Sequence, residues 1–342
     1  MRCDCYSKHI GLNTLAIRCP FTFLDRARRV PMRFAPKECK NACPAVCRHR
    51  SPRAAHRVGA QAKAIEGLSA GPLLSFQAFR DRASAAVATR PRDGSLPVTP
   101  TDSSNLKVLA FDVFGTVVDW YGSIAREAMA SPVGLSREQA QAFALAWREG
   151  YRPAMQRVRS GELGWTRIDD LHRMILDGIL PRFGLEHLSS AERGALNLAW
   201  HRLDPWPDAE EGLLALRKRF QVCTLSNGNL SLLADLARHG NLRWDLILSA
   251  EVFQHYKPDP QTYLGVANVF GVDPSQVMLV AAHKDDLRAA AACGLRTAYI
   301  ERPMEFGADG VARGLKDLSR SPDLDFHATD FLDLARQLEC SP

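Results

Sequence analysis

The chain has 342 residues, of which 46% are hydrophobic and 24% charged, a composition typical of a soluble globular protein. Its net charge of +6 is unevenly spread: residues 1–105 carry 18 Lys and Arg against 7 Asp and Glu, whereas residues 106–342 carry 26 against 31. No apolar run reaches the roughly 18 residues that cross a bilayer, which argues against a membrane protein. The length allows two domains.

The first 105 residues predict a basic extension that catalysis does not need. They show no helix or strand period and are rich in Arg, Pro, Ala and Ser. Three origins stay open: a disordered arm, an organelle transit peptide, or upstream sequence joined by a misplaced start codon. Residues 97–105 are rich in turn formers and predict the linker into the folded part. No recognition motif accompanies the positive charge, so we expect no nucleic-acid partner.

Six of the nine cysteines lie within the first 47 residues. The spacing Cys39-x3-Cys43-x3-Cys47 matches neither the usual zinc ligand pairs nor the usual iron–sulfur runs, so we expect no metal site there. The remaining three cysteines are too few and too scattered for a disulfide framework. This distribution predicts a reducing compartment and a cytoplasmic protein.

From residue 106 onward the pattern alternates strands with helices. The predicted strands are Lys107–Phe111, Val222–Leu225, Leu246–Leu248, Val277–Val280 and Thr297–Ile300. The predicted helices are Ser123–Ala130, Ser136–Arg159, Trp165–Phe183, Ser190–Arg202, Glu210–Arg219, Leu230–His239, Pro260–Phe270 and Asp285–Cys293. This order predicts an α/β fold with a doubly wound parallel sheet and a helical subdomain inserted after the first strand. We expect the α/β core at residues 106–120 and 207–342 and the helical cap at residues 121–206.

Polar residues follow the predicted strands, where open α/β sheets build their sites. They are Asp112, Thr116, Ser226, Asn227, Lys257, His283, Asp285 and Asp286. Asp112, delivered by an apolar strand into a glycine turn, is a candidate nucleophile, although a turn-forming Asp would look the same. Lys257 would keep that carboxyl ionised, and Asp286 is placed to take a proton from water. Asp285 is interpreted as an acid at a helix N-terminus without a catalytic role.

Four segments resemble the motifs of the haloacid dehalogenase superfamily. The run Phe111–Asp119 resembles its first motif, Ser226–Gly228 its second and Lys257–Pro260 its third, and Val280–Asp286 stands where its fourth, acidic motif belongs. The resemblance covers residues 106–340, nearly the whole folded part. It implies the superfamily's α/β core and its inserted cap.

Within this superfamily the chain resembles the type II 2-haloacid dehalogenases more than the phosphatases. Phosphatases usually carry a proton-donating Asp two residues after the nucleophile, where this chain has Phe114, and Lys284 would be unfavourable in a magnesium site. The dehalogenase branch carries an aromatic residue at the position of Phe114. It also carries a Trp-Arg pair in the cap, matched by Trp147 and Arg148, and a Tyr matched by Tyr263.

The resemblance implies a two-step hydrolysis without metal or other cofactor. Asp112 would displace the halide from the substrate carbon with inversion, forming an ester, because halide leaves without needing a proton. Arg148 would attract the departing halide, with Asn227 beside it. Water oriented by Asp286 and His283 would then hydrolyse the ester. His283 stands where relatives often have Asn, so a simple hydrogen-bonding role for it stays open.

The remaining implied roles concern substrate and nucleophile positioning. Ser226 and backbone amides would hold the substrate carboxylate, Lys257 and Tyr263 would position Asp112, and Thr116 would donate a hydrogen bond. Phe114, which replaces an unneeded general acid, is expected among the substrate-binding residues.

Two other functions stay open: a magnesium-dependent phosphatase of the same fold and a non-catalytic binding protein. The expected partners are a small haloacid and water, with no membrane, and relatives suggest a homodimer.

Overall fold

Strand-forming runs build a six-stranded sheet at the centre of the protein. The computed structural model describes residues 103–130 and 132–340. Its strands are β1 (Val108–Phe111), β2 (Val118–Asp119), β3 (Asp204–Pro205), β4 (Gln221–Ser226), β5 (Leu246–Ser249), β6 (Val277–Ala281), β7 (Arg296–Ile300) and β8 (Phe326–Ala328). Six of these strands run parallel in the order β5-β4-β1-β6-β7-β8, while β2 and β3 form a separate antiparallel pair. The predicted doubly wound α/β fold is confirmed.

Helices connect the strands and also form a long segment between β2 and β3. The helices are α1 (Trp120–Met129), α2 (Arg137–Glu149), α3 (Tyr151–Arg159), α4 (Ile168–Ile179), α5 (Ser190–Asn197), α6 (Ala209–Leu216), α7 (Leu230–His239), α8 (Ala250–Phe253), α9 (Pro260–Phe270), α10 (Lys284–Ala292) and α11 (Phe331–Gln337). We call residues 120–202, which carry α1 to α5, the helical segment. The assignment of residues 121–206 to a separate cap stays a prediction. No helix in the described ranges is long and apolar enough to cross a membrane.

The predicted helix Ser136–Arg159 is wrong in one respect, because it is two helices separated at Gly150. A Cβ at this position would lie 2.4 Å from Cγ2 of Ile175 on α4, so the junction approaches α4 more closely than a larger residue allows. Two other predicted helices end in 3₁₀ turns, at Leu180–Phe183 and Leu198–Arg202. A 3₁₀ helix has about three residues per turn, so the 3.6-residue period of an α-helix does not predict these short turns.

The two faces of the sheet bury separate apolar sets. Along β1, Leu109 and Phe111 point to one face, and Val108 and Ala110 to the other, as the two-residue period of a strand requires. The Leu109 face continues into the helical segment, where Trp147 is fully buried in the same core. This shared core holds the helical segment over the end of β1. Packing thus places the helices next to the predicted strand-end residues.

The predicted basic extension, except its residues 103–105, lies outside the described residues, and so does the cysteine run at residues 39–47.

Candidate active site

Three adjacent parallel strands bring the predicted site residues to one edge of the sheet. β1 pairs with β4 on one side and β6 on the other, and their carboxyl ends are followed by Asp112, Asn227 and His283. Lys257 lies in the connection between α8 and α9. All four side chains line one cavity of about 700 Å³. The strand-end argument from the sequence therefore predicted which residues meet here.

Asp112 is a buried carboxylate with three hydrogen-bond donors. Its Oδ1 accepts from Nζ of Lys257 at 2.8 Å, and its Oδ2 accepts from Oγ1 of Thr116 at 2.8 Å. Nδ1 of His283 lies 3.1 Å from the same Oδ2. Burial alone would raise the pKa of Asp112, but Lys257 and His283 hold it far below its usual range. An ionised carboxylate fixed in this way at a cavity wall is suited to nucleophilic attack.

Lys257 links Asp112 to Asp286. Its Nζ donates to Oδ2 of Asp286 at 2.5 Å, and the hydroxyl of Tyr263 donates to Oδ1 of Asp286 at 2.6 Å. Burial would lower the pKa of Lys257, but the two carboxylates raise it, so the ammonium is retained. Burial raises the pKa of Asp286, with Lys257 opposing the effect. Tyr263, which was predicted to position Asp112, donates to Asp286, and Lys257 connects Asp286 to Asp112.

His283 lies between two carboxylates, one of which the sequence analysis missed. Its Nε2 is 2.7 Å from Oε1 of Glu305, a fully buried residue in the connection between β7 and β8. Burial would lower the pKa of His283, but Glu305 and Asp112 raise it to about 9. Glu305 follows the predicted end of β7 by five residues. The strand-end rule would have selected Glu301, which directly follows β7 and pairs with His327 outside the cavity, so it does not find Glu305.

Arg148, on α2, faces the cavity with unused hydrogen-bonding capacity. Its guanidinium carbon lies 4.2 Å from the ring centroid of Tyr151 and 5.5 Å from that of Trp120. Its Nη1 is buried and has no hydrogen-bond partner within residues 103–130 and 132–340. A guanidinium with one buried, unpaired nitrogen, held over aromatic rings, is suited to binding a small anion. The partner of the predicted pair, Trp147, is buried and donates to the carbonyl of His172 at 2.9 Å.

An aromatic wall lines the cavity beside Asp112. The ring of Phe114 meets the rings of Tyr151 and Trp200 edge-on, with centroids 6.3 and 5.8 Å away. His172 stacks on Trp200 at 4.1 Å, and burial lowers the pKa of its imidazole to about 3, which keeps it neutral. Phe114 thus presents an apolar surface where a proton-donating acid would otherwise stand. This wall lowers the polarity around the reacting carboxylate.

Ser226 and Asn227, both predicted to bind substrate, differ in position. Asn227 lines the cavity, and its Oδ1 accepts from the backbone amide of Lys257 at 2.8 Å. Ser226 is fully buried, and its Oγ accepts from the amide of Gly228 at 3.1 Å. It is not among the residues that line the cavity. Ser226 therefore stabilises the turn after β4 and does not lie at the cavity surface.

The full cavity lining combines the sheet edge, α2, α3 and the connection after β7. It comprises Asp112, Phe114, Arg148, Glu149, Tyr151, Arg152, Pro153, Met155, Gln156, Arg159, Asn227, Lys257, Pro258, Tyr263, His283, Asp285, Asp286 and Phe306. Within the described ranges no group of three or more His, Cys, Asp or Glu is arranged to hold a metal ion. Tyr151 and Phe306 were not singled out from the sequence, because isolated aromatic residues there look like ordinary core.

Comparisons with known proteins show which proteins this chain resembles. A family model for haloacid dehalogenase-like hydrolases matches residues 106–294. The (S)-2-haloacid dehalogenase 4A of Burkholderia cepacia is 30% identical over 208 residues, which is 58% of this chain and 84% of that protein. The crystal structure of an L-2-haloacid dehalogenase is 44% identical with a TM-score of 0.63, covering 68% of this chain and 99% of the other.

A second crystal structure, of a defluorinating L-2-haloacid dehalogenase, is 41% identical with a TM-score of 0.65 and covers 70% of this chain and all of the other. Phosphatases also match, over shorter stretches or at lower identity. The predicted superfamily membership is confirmed: this chain belongs to the haloacid dehalogenase-like hydrolases.

Proposed function

We propose that this protein is a 2-haloacid dehalogenase, which replaces the halogen of a short 2-haloalkanoic acid with a hydroxyl group. The observation that carries the proposal is the pairing, within one cavity, of ionised Asp112 and the guanidinium of Arg148, whose buried Nη1 has no hydrogen-bond partner among the described residues. A nucleophile and an anion site are what displacement of a halide requires. The named relatives that act on 2-haloacids support it.

The first step is attack by Asp112 on the carbon that bears the halogen. The carboxylate approaches from the side opposite the halogen, so the carbon inverts and an ester forms. Halide leaves as a stable anion, and the free donor of Arg148 stabilises the charge that develops on it. No acid is needed, which is consistent with the apolar Phe114 beside the nucleophile.

The second step is hydrolysis of the ester at the carboxyl carbon of Asp112. Asp286 and His283 are the two groups next to Asp112 and Lys257 that are able to accept a proton from water. Attack of water releases the 2-hydroxy acid and restores the carboxylate. The product oxygen then comes from Asp112, and the oxygen of water enters the enzyme.

The alternative function, a magnesium-dependent phosphatase, is less well supported by the donor set. A hard dication takes several oxygen ligands. Both oxygens of Asp112 already accept hydrogen bonds from Lys257, Thr116 and His283. Phe114 supplies no proton at the position where phosphatases of this superfamily usually have an acid.

Product assays separate the two functions. We expect the protein to release chloride from chloroacetate or 2-chloropropionate in buffer without added metal, and to release no phosphate from p-nitrophenyl phosphate with magnesium. Asp112→Asn should abolish chloride release, whereas Asp323→Asn, which removes an exposed partner of Arg288, should leave it unchanged. Phosphate release without chloride release would overturn the proposal.

A further inference from the structure

Glu305 is the only carboxylate of the site's described residues, besides Asp112, that contacts His283, and its own surroundings hold it rigidly. Oε1 lies 2.7 Å from Nε2 of His283 and accepts from Nε1 of Trp120 at 3.3 Å. Oε2 accepts from Nζ of Lys316 at 2.6 Å. Lys316 is itself buried and also donates to the carbonyl of Ala282 at 2.6 Å.

The backbone turn after Asp112 is shaped to admit this carboxylate. Gly115 has φ +84°, and a Cβ there would lie 2.2 Å from Oε1 of Glu305. Glycine is therefore required here for two reasons: it adopts the left-handed backbone conformation, and it leaves space for Glu305. The nucleophile turn, Glu305 and His283 consequently form one packed unit.

The geometry fixes the protonation of His283 in the resting enzyme. Both ring nitrogens face carboxylate oxygens, at 3.1 Å from Asp112 and 2.7 Å from Glu305. An ionised carboxylate only accepts hydrogen bonds, so both nitrogens must carry protons. Burial would raise the pKa of Glu305, but His283 and Lys316 lower it to about 2, so Glu305 is ionised.

The other charges near His283 lie one step further away. Lys257 and Asp286 lie beyond Asp112, and Lys316 lies beyond Glu305. On its own helix, Asp285 is paired with Arg152 and Lys284 with Asp317. Of these charges, the one that the proposed reaction changes is that of Asp112, because ester formation neutralises it.

We propose that Glu305 is a positioning residue for ester hydrolysis: it keeps a proton on Nε2 of His283, so that Nδ1 loses its proton when Asp112 is alkylated and then serves as the base. This inference rests on the proposed dehalogenation and assigns its second step to His283. Asp286, held by Lys257 and Tyr263, then acts on the orientation of Lys257 rather than as the base.

The proton balance closes under this assignment. In the first step a carbon–oxygen bond forms to Asp112, the carbon–halogen bond breaks, and halide leaves with the electron pair. Loss of the Asp112 charge lets Nδ1 release its proton to solvent. In the second step Nδ1 takes one proton from water, the hydroxide attacks the carboxyl carbon, and the 2-hydroxy acid leaves with the other proton. Ionised Asp112 and doubly protonated His283 are restored.

The first test follows the protonation of His283 in substrate-free enzyme by ¹⁵N NMR of histidine-labelled protein, with the resonances assigned from His283→Asn. We expect both nitrogens to stay protonated at pH 7 and to titrate near pH 9 in the wild type. Glu305→Gln keeps the shape of the side chain but removes its charge, so the proton affinity of His283 should fall at least about tenfold. Glu301→Gln, which removes the partner of His327 outside the cavity, is the matched control and should change nothing.

The second test measures which step slows. After acid quench during turnover of chloroacetate, the Asp112 peptide of Glu305→Gln should carry the ester in a larger fraction of molecules than in the wild type or Glu301→Gln. A variant that has merely lost structure would release less chloride without accumulating ester.

The outcomes separate this inference from the proposed function. Neutral His283 at pH 7 in the wild type, which needs no variant to fold, would overturn the role of Glu305. So would an unchanged titration, or absence of ester accumulation, in folded Glu305→Gln. Failure of the wild type to release chloride would instead overturn the dehalogenase proposal.

Discussion

The carboxylate of Asp112 is held between two cationic groups, Lys257 at 2.8 Å and His283 at 3.1 Å. Such pairing keeps it ionised but also stabilises its ground state, so the catalytic gain must come from elsewhere in the cavity. The free donor of Arg148 is the group whose interaction strengthens as halide departs. Asp112 therefore serves as the fixed nucleophile, and Arg148 supplies the site that binds the departing anion.

Arg148→Met should lower kcat/KM for chloroacetate by about 10²–10³-fold, the usual effect of losing one donor to a developing anion. The thermal midpoint should change little, because the buried charge is removed with its side chain. Arg137→Met, exposed at the start of the same helix, is the control. An equal loss in both variants would contradict the assignment. Chloride release and thermal unfolding provide the two measurements.

The pH dependence of stability should carry the signature of His283. Its pKa is raised from 6.5 to about 9 on folding, so the stabilisation is fully present below pH 6.5 and is lost as the pH rises through 9. Relative to His283→Gln, the wild type should lose on the order of 1–3 kcal/mol of unfolding free energy across this range. Urea unfolding at several pH values measures it. A difference that grows with pH would contradict the two-carboxylate geometry.

For individual residues, the sequence predicted which side chains follow the strands but not which hydrogen-bond partners they have. Asp112, Asn227 and His283 follow from strand order, because parallel strands end at one edge. Lys257 lies further along, in the connection after α8. The tie of Tyr263 to Asp286 depends on how α9 rotates against α10, which no spacing rule fixes.

At the scale of elements, α3 closes one side of the cavity and is tied to the sheet edge by ion pairs at both of its ends. Near its start Arg152 pairs with Asp285 at the beginning of α10. At its end Arg159 donates two hydrogen bonds to Oδ1 of Asp259, at 2.9 and 2.7 Å, just before α9. These arginines also line the cavity, so each presents a guanidinium, paired with an aspartate, at its rim.

Arg159→Gln should raise KM for chloroacetate roughly 3–10-fold and leave kcat within about twofold, since the rim acts on binding rather than chemistry. Arg157→Gln, which removes only the pair with Glu162 on the outer side, serves as the control. Steady-state kinetics at low and high salt measure the effect. A fall in kcat with unchanged KM would show that α3 positions the reacting groups instead.

The close approach of Gly150 to α4 at the break between α2 and α3 can be tested by adding a methyl group there. Gly150→Ala should lower the unfolding free energy by about 1–3 kcal/mol, because the new methyl group meets Cγ2 of Ile175. In an Ile175→Ala background the cost of Gly150→Ala should be smaller. Chemical denaturation of the four proteins completes the cycle. Equal costs in both backgrounds would mean that Ile175 is not the obstacle.

At the scale of the whole molecule, the sequence predicted the parallel sheet because long apolar strands alternate with amphipathic helices. It did not predict β8, which has three residues, or the two-residue strands β2 and β3. Such short elements depend on tertiary pairing rather than on local pattern. The buried Glu305 belongs to the same class, since it enters the site through a connection without a helical or strand period.

The described contacts of the site involve residues between Asp112 and Lys316. We therefore expect a protein lacking residues 1–102 to retain kcat/KM within about twofold, because the described residues supply every contact named at the site. Chloride release by the shortened and full-length proteins measures this. A large loss would assign the basic extension a part in catalysis.

The proposed dehalogenation requires a covalent bond between Asp112 and the substrate. The direct measurement is a single turnover in ¹⁸O-labelled water with enzyme in excess over 2-chloropropionate. We expect that ¹⁸O enters the Asp112 peptide and that the 2-hydroxy acid carries unlabelled oxygen. Labelled hydroxy acid together with an unlabelled enzyme would contradict it, because water would then have attacked the substrate carbon itself.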